Sequence, residues 1–513
     1  MSQTKSSWAY LDTPLERNYL WSLATTILPI VSSFIVSWIV ARWAGPQVIG
    51  TVSWAMAFAT AALIFGKFGM GLATSRLASE YGVVDPGRLR ALFNTGLSFR
   101  LVFTMIVAVL AFAYAQQVAA FFEEANLEKP IRVSAFVILC ASLYEFMEHY
   151  LIGLNRVHTV YQVRSVNFLV RVAITAVLVF GGWGAVEILG GYCVAWVIAI
   201  VVYLVLLLRY FPASGPSENH RAIAKRLLVL GVPLAASSAS VTIFSQTDRL
   251  MIGFFHDMEE VGQYAIARNV TEVSLFPAFA LIMTLRPALA SRFSTGKLEE
   301  CSQILQRTLL LALVFGVMFA SIFAVFAVPL FTLVYSREFL YAGELMIFFI
   351  WVLALRSIGA IMLPALVAAE RTTYYAGVTA ISAAANFALN LVLIPSLRSK
   401  GAIIATLASY GLLLVLGLRL VSRIFSVRYG MREFSLVVRT VLAGALTVGV
   451  FWLLFWEFGK AEAGSSYPIV FVWLILQALI YTALISLFRV LSVGQVLEAI
   501  SNIRKQDTKG VNA

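Results

Sequence analysis

Charged residues are scarce in this sequence. Only 12% of its 513 residues are Asp, Glu, Lys or Arg, whereas soluble domains carry about 25%. Hydrophobic residues make up 60% of the chain, and the mean hydropathy is +0.87. A soluble domain could not keep so much apolar surface away from water. The composition therefore excludes a soluble protein and predicts a polytopic membrane protein.

Cysteine, histidine and the motifs of common enzymes are also rare or absent. The three cysteines, Cys140 and Cys193 in apolar segments and Cys301 in a predicted cytoplasmic loop, have no metal-site or disulfide spacing. There is no phosphate-binding loop, no His-Glu metal pair and no nucleophile motif. The polar start, residues 1–19, has no signal-peptide core. We expect no enzyme activity, no cofactor and no metal, and a first apolar segment that stays as an anchor.

The net charge of +12 is best explained by membrane topology. In a soluble protein it would favour nucleic-acid binding, but membrane proteins collect Lys and Arg in cytoplasmic loops. Basic residues cluster in alternate loops, at 76–90, 156–164, 221–226, 292–307, 419–439 and 504–509. The opposite loops have few basic residues and lean acidic, and Arg398 and Lys400 are the exception. The pattern predicts that both termini are cytoplasmic and that nucleic acid is not a partner.

The apolar segments predict an all-α protein with about fourteen membrane spans, since a span needs about 20 mostly apolar residues. Residues 1–210 hold six spans, residues 211–226 form a polar linker, residues 227–425 hold six more, and residues 426–513 hold two further spans and a cytoplasmic tail. The spans are predicted at 18–41, 48–68, 98–115, 133–153, 161–181, 188–208, 227–255, 261–290, 304–335, 345–368, 375–394, 403–420, 436–455 and 469–488.

The two six-helix halves resemble each other in sequence. Val-Ile-Gly at 48–50 opens an apolar segment that ends in Leu-Ala-Ser, and Glu-Val-Gly at 260–262 opens another with the same ending, about 212 residues later. A second match follows in both halves, from the polar turns at 154–158 and 369–373 to the Gly-Ala pairs at 184 and 401. Because both copies run in the same direction, they predict parallel repeats, as in secondary transporters.

Four arginines lie inside predicted spans. A charged residue at membrane depth usually faces a cavity or a partner. The rise of about 1.5 Å per residue places Arg249 and Arg268 at matching depth, and Arg171 and Arg356 near the middle of their spans. Few acids accompany them, so they predict a cationic cavity. Arg356 is the clearest candidate, because no acid lies within four residues of it.

Two of the other arginines, Arg268 and Arg171, have a structural alternative. Arg268 could pair with Glu272 four residues later, whereas Asp248 is a poor partner for its neighbour Arg249, because adjacent residues on a helix point apart. Arg171 could form a buried bridge with Glu145 or Glu148. Some of these acids could instead couple transport to an ion gradient. The coupling candidates are Glu145, Glu148, His149, Asp248 and Glu272.

Three further polar residues lie in the spans. Asn386 and Asn390 share a helix face, and Asn386 is the approximate repeat counterpart of Arg171. They could line the cavity or join helices by hydrogen bonds. Lys67 is close enough to the cytoplasmic end of its span to extend toward water.

Several of these motifs, in this order and spacing, resemble one family. They are Trp-Ala-Gly-Pro at 43–46 followed by Gly50, Phe-Gly-Met-Gly at 68–71, Val-Gly-Gln-Tyr at 261–264, the segment 386–395, and Gly-Ala-Ile-Ile-Ala-Thr at 401–406. Over nearly its whole length the chain resembles the lipid-linked oligosaccharide flippases, the polysaccharide-transporter branch of the multidrug/oligosaccharidyl-lipid/polysaccharide (MOP) exporter superfamily.

The resemblance implies a fold, a substrate class and a location. It implies a MATE-like fold of two six-helix bundles that moves an undecaprenyl-diphosphate-linked glycan to the outer leaflet of a bacterial inner membrane. Membrane lipid, glycan polymerases and chain-length proteins are the other implied partners. Arginine suits the diphosphate because it donates paired hydrogen bonds to phosphate oxygens.

Three other functions remain open. A lipid II flippase of the same fold would also have a cationic cavity. A cation-coupled multidrug exporter would usually carry an acid in the first span, and residues 18–41 contain none. A scaffold for glycan polymerases would not require arginines at depth.

Overall fold

The computed structural model describes residues 15–85, 87–207, 220–427, 430–458 and 467–490, and these residues are almost entirely helical. Long apolar segments form helices in a membrane because every backbone polar group must be bonded within the segment. Among the described residues, nine helices are long and apolar enough to cross a membrane. The all-α membrane fold is confirmed, while the count of fourteen spans stays a prediction.

The first half begins with a helix that contains both of the first two predicted spans. This helix, α1, runs from Leu15 to Lys67 and breaks at Gly45, whose φ of 83° is readily adopted by glycine. The remaining helices are α2 (Met70–Val84), α3 (Arg88–Ala113), the short α4 (Ala115–Phe121), α5 (Glu128–Gly153), α6 (Val157–Phe180) and α7 (Ala185–Leu207).

The second half repeats this plan and carries two further helices. Its helices are α8 (His220–Phe255), α9 (Met258–Ser274), α10 (Phe276–Ser294), α11 (Leu298–Val334), α12 (Leu340–Ala368), α13 (Thr372–Phe425), α14 (Met431–Phe458) and α15 (Tyr467–Leu487). The last two pack on α11, where Gln477 donates to the carbonyl of Ser321 (2.7 Å) and Tyr481 to that of Val314 (2.9 Å).

Some predicted boundaries differ from the structure. The first part of the predicted linker, 211–219, lies outside the described residues, and its last seven residues belong to α8. Cys301 was expected in a loop, but it is buried in the first turn of α11. Arg164, counted among the basic loop residues, lies within α6 and pairs with Glu148. Helices extend beyond the apolar runs because backbone hydrogen bonding continues through polar residues.

The break in α13 accounts for the two basic residues in a predicted outer loop. Arg398 adopts a φ of 53°, which is uncommon for a residue with a Cβ. The buried carboxylate of Glu260 stabilises this turn by accepting the Ser399 backbone N–H at 3.0 Å, and it lies 3.8 Å from Arg398. Lys400 stacks over Tyr341, 5.7 Å from the ring centre. Both cations therefore have local partners.

The two halves contact each other at both ends of their interface. At the predicted outer end, Trp38 and Arg42 of α1 donate to the carbonyls of Val334 and Tyr335, at 2.9 and 2.8 Å. At the predicted cytoplasmic end, Arg226 of α8 bonds both carboxylate oxygens of Glu80 at 2.9 Å. The space between these contacts is the candidate site.

Candidate functional site

A cavity of about 210 Å³ lies between the two halves. Helices α1, α6 and α7 line it from the first half, and α8 and α9 line it from the second. Its polar lining residues are Ser33, Ser37, Ser53, Thr60, Arg171, Tyr192, Gln246, Arg249 and Asn269. Among the described residues, this lining includes two arginines and no carboxylate, and these residues give the cavity a net positive charge.

Arg249 enters the cavity from the second half. It donates to Gln246 Oε1, one turn earlier on α8, at 2.6 Å. Its Nε is buried and has no hydrogen-bond partner among the described residues. A buried donor without an acceptor costs free energy, so this guanidinium is suited to an acceptor that enters the cavity. Asp248 points elsewhere, as the helix geometry predicted.

Arg171 enters the cavity from the first half. Its guanidinium stacks on the ring of Tyr192, 4.1 Å from the ring centre, and its Nε is also buried and has no hydrogen-bond partner in the part of the chain that the structure describes. The alternative in which Arg171 pairs with Glu145 or Glu148 is wrong, because other cations hold both acids. Glu148 accepts from Arg164 at 2.7 and 3.0 Å.

Glu145 belongs to a separate cluster of charges in the first half. It lies 2.5 Å from Lys67 and 3.3 Å from Arg100, whose side chain is almost fully buried. Lys67 therefore ends in an ion pair on α5. His149 bonds the Glu145 carbonyl one turn earlier on the same helix (2.9 Å). Proton or ion coupling through these groups stays a prediction.

Arg356 has a carboxylate partner that its sequence neighbourhood does not contain. Glu272 of α9 accepts two hydrogen bonds from Arg356 of α12, at 2.8 and 2.9 Å. The pair forms across two helices, and its members are 84 residues apart. Most of the Arg356 charge is therefore compensated, and the argument that singled it out from the sequence does not hold in the structure. A role in substrate binding remains a prediction for this residue.

Arg268 lies between two acids. Its guanidinium nitrogens lie 3.6 Å from Asp248 and 3.9 Å from Glu272, so the expected contact with Glu272 is present but long. With Arg356, these residues form a group of two cations and two anions in the second half. The charge that remains uncompensated is therefore at Arg171 and Arg249, at the interface.

Asn386 and Asn390 join helices around Asp248. Asn390 donates to Asp248 at 2.7 Å and to Asn386 at 3.1 Å, and Asn386 donates to Thr406 at 3.3 Å. Thr406 and Tyr264 also donate to Asp248, at 3.0 and 2.5 Å. Both asparagines are fully buried, and the hydrogen-bonding alternative describes their contacts. Their place in a substrate site is untested.

Several cavity residues were not singled out from the sequence. Gln246 lies one turn before Arg249, and Tyr192 is the aromatic platform for Arg171. Ser33 and Ser37 lie four residues apart on α1. That spacing and their position inside an apolar segment were the available signal, but serine is common in membrane helices. Among the described residues, no group of three or more His, Cys, Asp and Glu could hold a metal ion.

Models of known protein families match both halves of the chain. The model of the polysaccharide biosynthesis protein family matches residues 15–293, which include α1 to α9 and most of α10. The chain belongs to this family. The MatE family model matches residues 233–392 of the second half. Together these matches confirm the resemblance to the polysaccharide-transporter branch of the MOP superfamily.

Two curated relatives are similar to part of this chain. The chain is 24% identical over 259 residues to the probable low-salt glycan biosynthesis flippase Agl15 of Haloferax volcanii, an alignment that covers 49% of this chain and 52% of that protein. It thus spans about half the length of this relative. It is 22% identical to the probable multidrug resistance protein YoeA of Bacillus subtilis, over 64% of this chain and 75% of that one.

Solved structures confirm the fold of this chain. The lipid II flippase MurJ in an inward closed conformation superposes with a TM-score of 0.72 and 14% identity, over 91% of this chain and 98% of that one. An inward-facing multidrug resistance MATE family transporter of the MOP superfamily superposes with a TM-score of 0.63 and 13% identity, over 80% of this chain and 100% of that one. At these identities the likeness concerns the fold alone.

Proposed function

We propose that this protein is a flippase for undecaprenyl-diphosphate-linked oligosaccharide repeat units. It would move them from the cytoplasmic to the outer leaflet of a bacterial inner membrane by alternating access, with both termini cytoplasmic. The observation that carries the proposal is the pair Arg171 and Arg249, which come from different halves and line one cavity whose described lining residues include no carboxylate. Glycan polymerases and chain-length proteins would be partners in the same membrane.

The physical problem of such a flippase is the charged head of its substrate. A diphosphate with attached sugars would lose its water in the hydrocarbon region, and that loss is costly unless other groups replace it. Guanidinium groups replace it well because they donate paired hydrogen bonds to phosphate oxygens. The two buried Nε groups have no acceptor among the described residues, so a phosphate would add bonds without breaking ion pairs.

The position of the two arginines also suits alternating access. Arg171 is on α6 and Arg249 is on α8, so a rocking motion of one half against the other would change the distance between them. A phosphate held by both would be bound tightly in one state and loosely in the other. The prenyl chain would remain in lipid between the halves.

The same cavity argues against a cationic drug as the substrate. Relatives and neighbours of this chain include multidrug transporters, but a cationic drug would meet two uncompensated arginines. The acids of the second half are held by Arg268 and Arg356. A lipid II flippase is the second candidate, because MurJ shares the fold and lipid II also carries a diphosphate.

Substrate binding tests the proposal directly. The purified protein in nanodiscs should bind undecaprenyl diphosphate, and Arg249→Gln or Arg171→Gln should weaken binding about 10- to 100-fold, as for a lost charged hydrogen bond. Arg132→Gln is the matched control, since Arg132 is exposed and pairs with Glu128 in the first turns of α5. Equal affinity in all four proteins would overturn the proposed site.

A deletion strain of the native host separates the two candidate lipids. We expect one undecaprenyl-linked glycan repeat to accumulate on the cytoplasmic side and the wild-type gene to remove it. Accumulation of lipid II would favour the second candidate. The variant Arg249→Gln should fail to restore export in this strain, whereas Arg132→Gln should restore it.

A further inference from the structure

A second cavity, of about 190 Å³, adjoins the first inside the N-terminal half. Arg171 lines both cavities. On α6, Asn167 lies one turn before Arg171 and lines the second cavity, and on α7 Trp196 lies one turn after Tyr192 and does the same. The two cavities therefore follow the same pair of helices, one turn apart.

The chemistry of the second cavity differs from that of the first. Its charged residues besides Arg171 are Glu148 and Arg164, which bond each other at 2.7 and 3.0 Å and so compensate each other. The rings of Tyr144, Phe168 and Trp196 form much of its wall. Such a cavity offers aromatic faces and neutral or paired polar groups, and it has little attraction for a second anion.

This combination suits a sugar ring. The C–H faces of a pyranose are apolar and pack on aromatic rings, while its hydroxyl groups need hydrogen-bond partners around the edge. Asn167 already donates to the Ala195 carbonyl at 3.0 Å, which orients its amide, and the carboxylate of Glu148 has lone pairs beyond its bonds to Arg164 and Tyr203.

The size of the cavity limits the occupant. Pockets for drug-sized ligands measure about 300–1,000 Å³, so a space of about 190 Å³ would accept one ring and its substituents. A longer glycan would have to extend out of it. Only the ring next to the diphosphate can lie within one helical turn of Arg171.

We infer that this second cavity binds the sugar joined directly to the diphosphate, with Arg171 holding the phosphate between the two cavities. The inference rests on the proposed function and makes it more specific. In this arrangement Arg249 binds the charged phosphate of the lipid. The wall around Trp196 distinguishes a glycosylated lipid from the bare carrier. A flippase built this way would favour the loaded carrier over the empty one.

The test compares two lipids on the same protein. Undecaprenyl diphosphate and undecaprenyl diphosphate carrying one N-acetylhexosamine are titrated into nanodiscs of the full chain. Trp196→Leu removes the aromatic face, Trp196→Phe keeps one, and Trp452→Leu is the control, because Trp452 is exposed on α14, away from the cavity. Thermal unfolding of each variant checks that the fold is retained.

We expect the wild type to bind the glycosylated lipid more tightly, and Trp196→Leu to lose about tenfold affinity for it while keeping its affinity for the bare lipid. Trp196→Phe should recover most of the difference. If Trp196→Leu lowered the affinity for both lipids equally, or for neither, the proposed sugar site would be wrong and the diphosphate site would stand. If the wild type bound neither lipid, the proposed function itself would fail.

Should Trp196→Leu unfold, Asn167→Ser decides the matter with the same two lipids. It changes the wall of the second cavity and leaves Arg171 and Arg249 in place. A lower affinity for the glycosylated lipid with an unchanged affinity for the bare lipid supports the sugar site. Wild-type affinities for both lipids, or an equal loss for both, overturn it.

Discussion

Gly50 and Gly262, which occupy equivalent positions in the two sequence repeats, lie against each other where the two halves meet. A Cβ on Gly50 would lie 2.9 Å from the Gly262 nitrogen, and a Cβ on Gly262 would lie 3.1 Å from the Gly50 nitrogen. Equivalent residues touch each other only near the axis that relates their repeats. The axis therefore passes close to this contact, and the missing side chains let α1 and α9 approach closely.

Substitution of Gly262 should disturb this interface. Gly262→Ala places a methyl group against the backbone of α1, and we expect a loss of about 1–3 kcal/mol, as for an overpacked core. Gly377→Ala is the control, because a Cβ there would meet no atom of the described residues within 4 Å. Thermal unfolding in detergent measures both. A Gly262→Ala protein as stable as Gly377→Ala would contradict the close contact.

Arg356 and Glu272 should behave as a structural pair. Arg356→Met leaves the Glu272 carboxylate without its main partner in the membrane interior, which typically costs about 3–5 kcal/mol. Glu272→Gln combined with Arg356→Met should recover much of that loss, because no unpaired charge then remains. A double-mutant cycle of unfolding free energies measures the coupling. Additive effects of the two changes would show that the pair does not form.

The Arg356 result also changes which residue best tests transport. Loss of transport in Arg356→Ala would not distinguish a broken substrate site from a broken fold. Arg249 has no carboxylate partner in the described part of the chain, so Arg249→Gln should keep the unfolding temperature within a few degrees of the wild type while substrate affinity falls. A large drop in that temperature would make Arg249 structural as well.

Arg226 and Glu80 should hold the predicted cytoplasmic end closed. Both side chains are nearly half exposed, so the pair contributes only about 0–1 kcal/mol to stability. It nevertheless joins α8 to α2, and nearby Thr95 bonds His220 across the same interface at 2.9 Å. Cysteines at positions 95 and 220 should crosslink readily in the wild-type background and less in Glu80→Gln. The exchange Glu80→Arg with Arg226→Glu should restore crosslinking.

The crosslinking result also distinguishes the ion pair from the apolar contacts between the same helices. If Glu80→Gln left crosslinking unchanged, the closed end would depend on the apolar contacts of α2 and α8 and not on the ion pair. High salt provides an independent check, since it screens an exposed pair and should lower crosslinking in the wild-type background alone.

Asp248 is a coupling candidate whose carboxylate accepts hydrogen bonds from three different residues. Tyr264, Asn390 and Thr406 all donate to it. If its charge changes during transport, Asp248→Asn should make lipid movement in proteoliposomes independent of an imposed proton or sodium gradient. Glu148→Gln serves as the comparison in the first half. Transport by Asp248→Asn that still responds to the gradient would place coupling elsewhere.

Local sequence information was enough for part of the candidate site. Arg249 and Arg171 could be selected because arginine inside an apolar segment is costly and needs a reason. The sequence also correctly predicts that Asp248 does not pair with its neighbour Arg249, because adjacent side chains on a helix point apart. The two cavities could not be predicted, since Tyr192 and Trp196 are ordinary aromatic residues until α7 is placed against α6.

The partners of the charged residues were the least predictable feature. Arg356 looked isolated because its acid, Glu272, lies 84 residues away. Glu148 on the preceding helix is a plausible ion-pair partner of Arg171 from the sequence. In the structure, Glu148 pairs with Arg164 instead. Both errors have one cause: within a bundle, ion pairs form between neighbours in space, and sequence spacing reports only neighbours on the same helix.

The amino-acid sequence by itself determined the environment, the secondary structure and the doubling of the chain. A chain with so few charges must lie in lipid, lipid forces its apolar segments into helices, and Gly50 and Gly262 mark equivalent points of two like-oriented repeats. Only the tertiary structure decided which arginines keep their charge available. That depends on which helices lie side by side, because a carboxylate compensates a guanidinium only within a few ångströms.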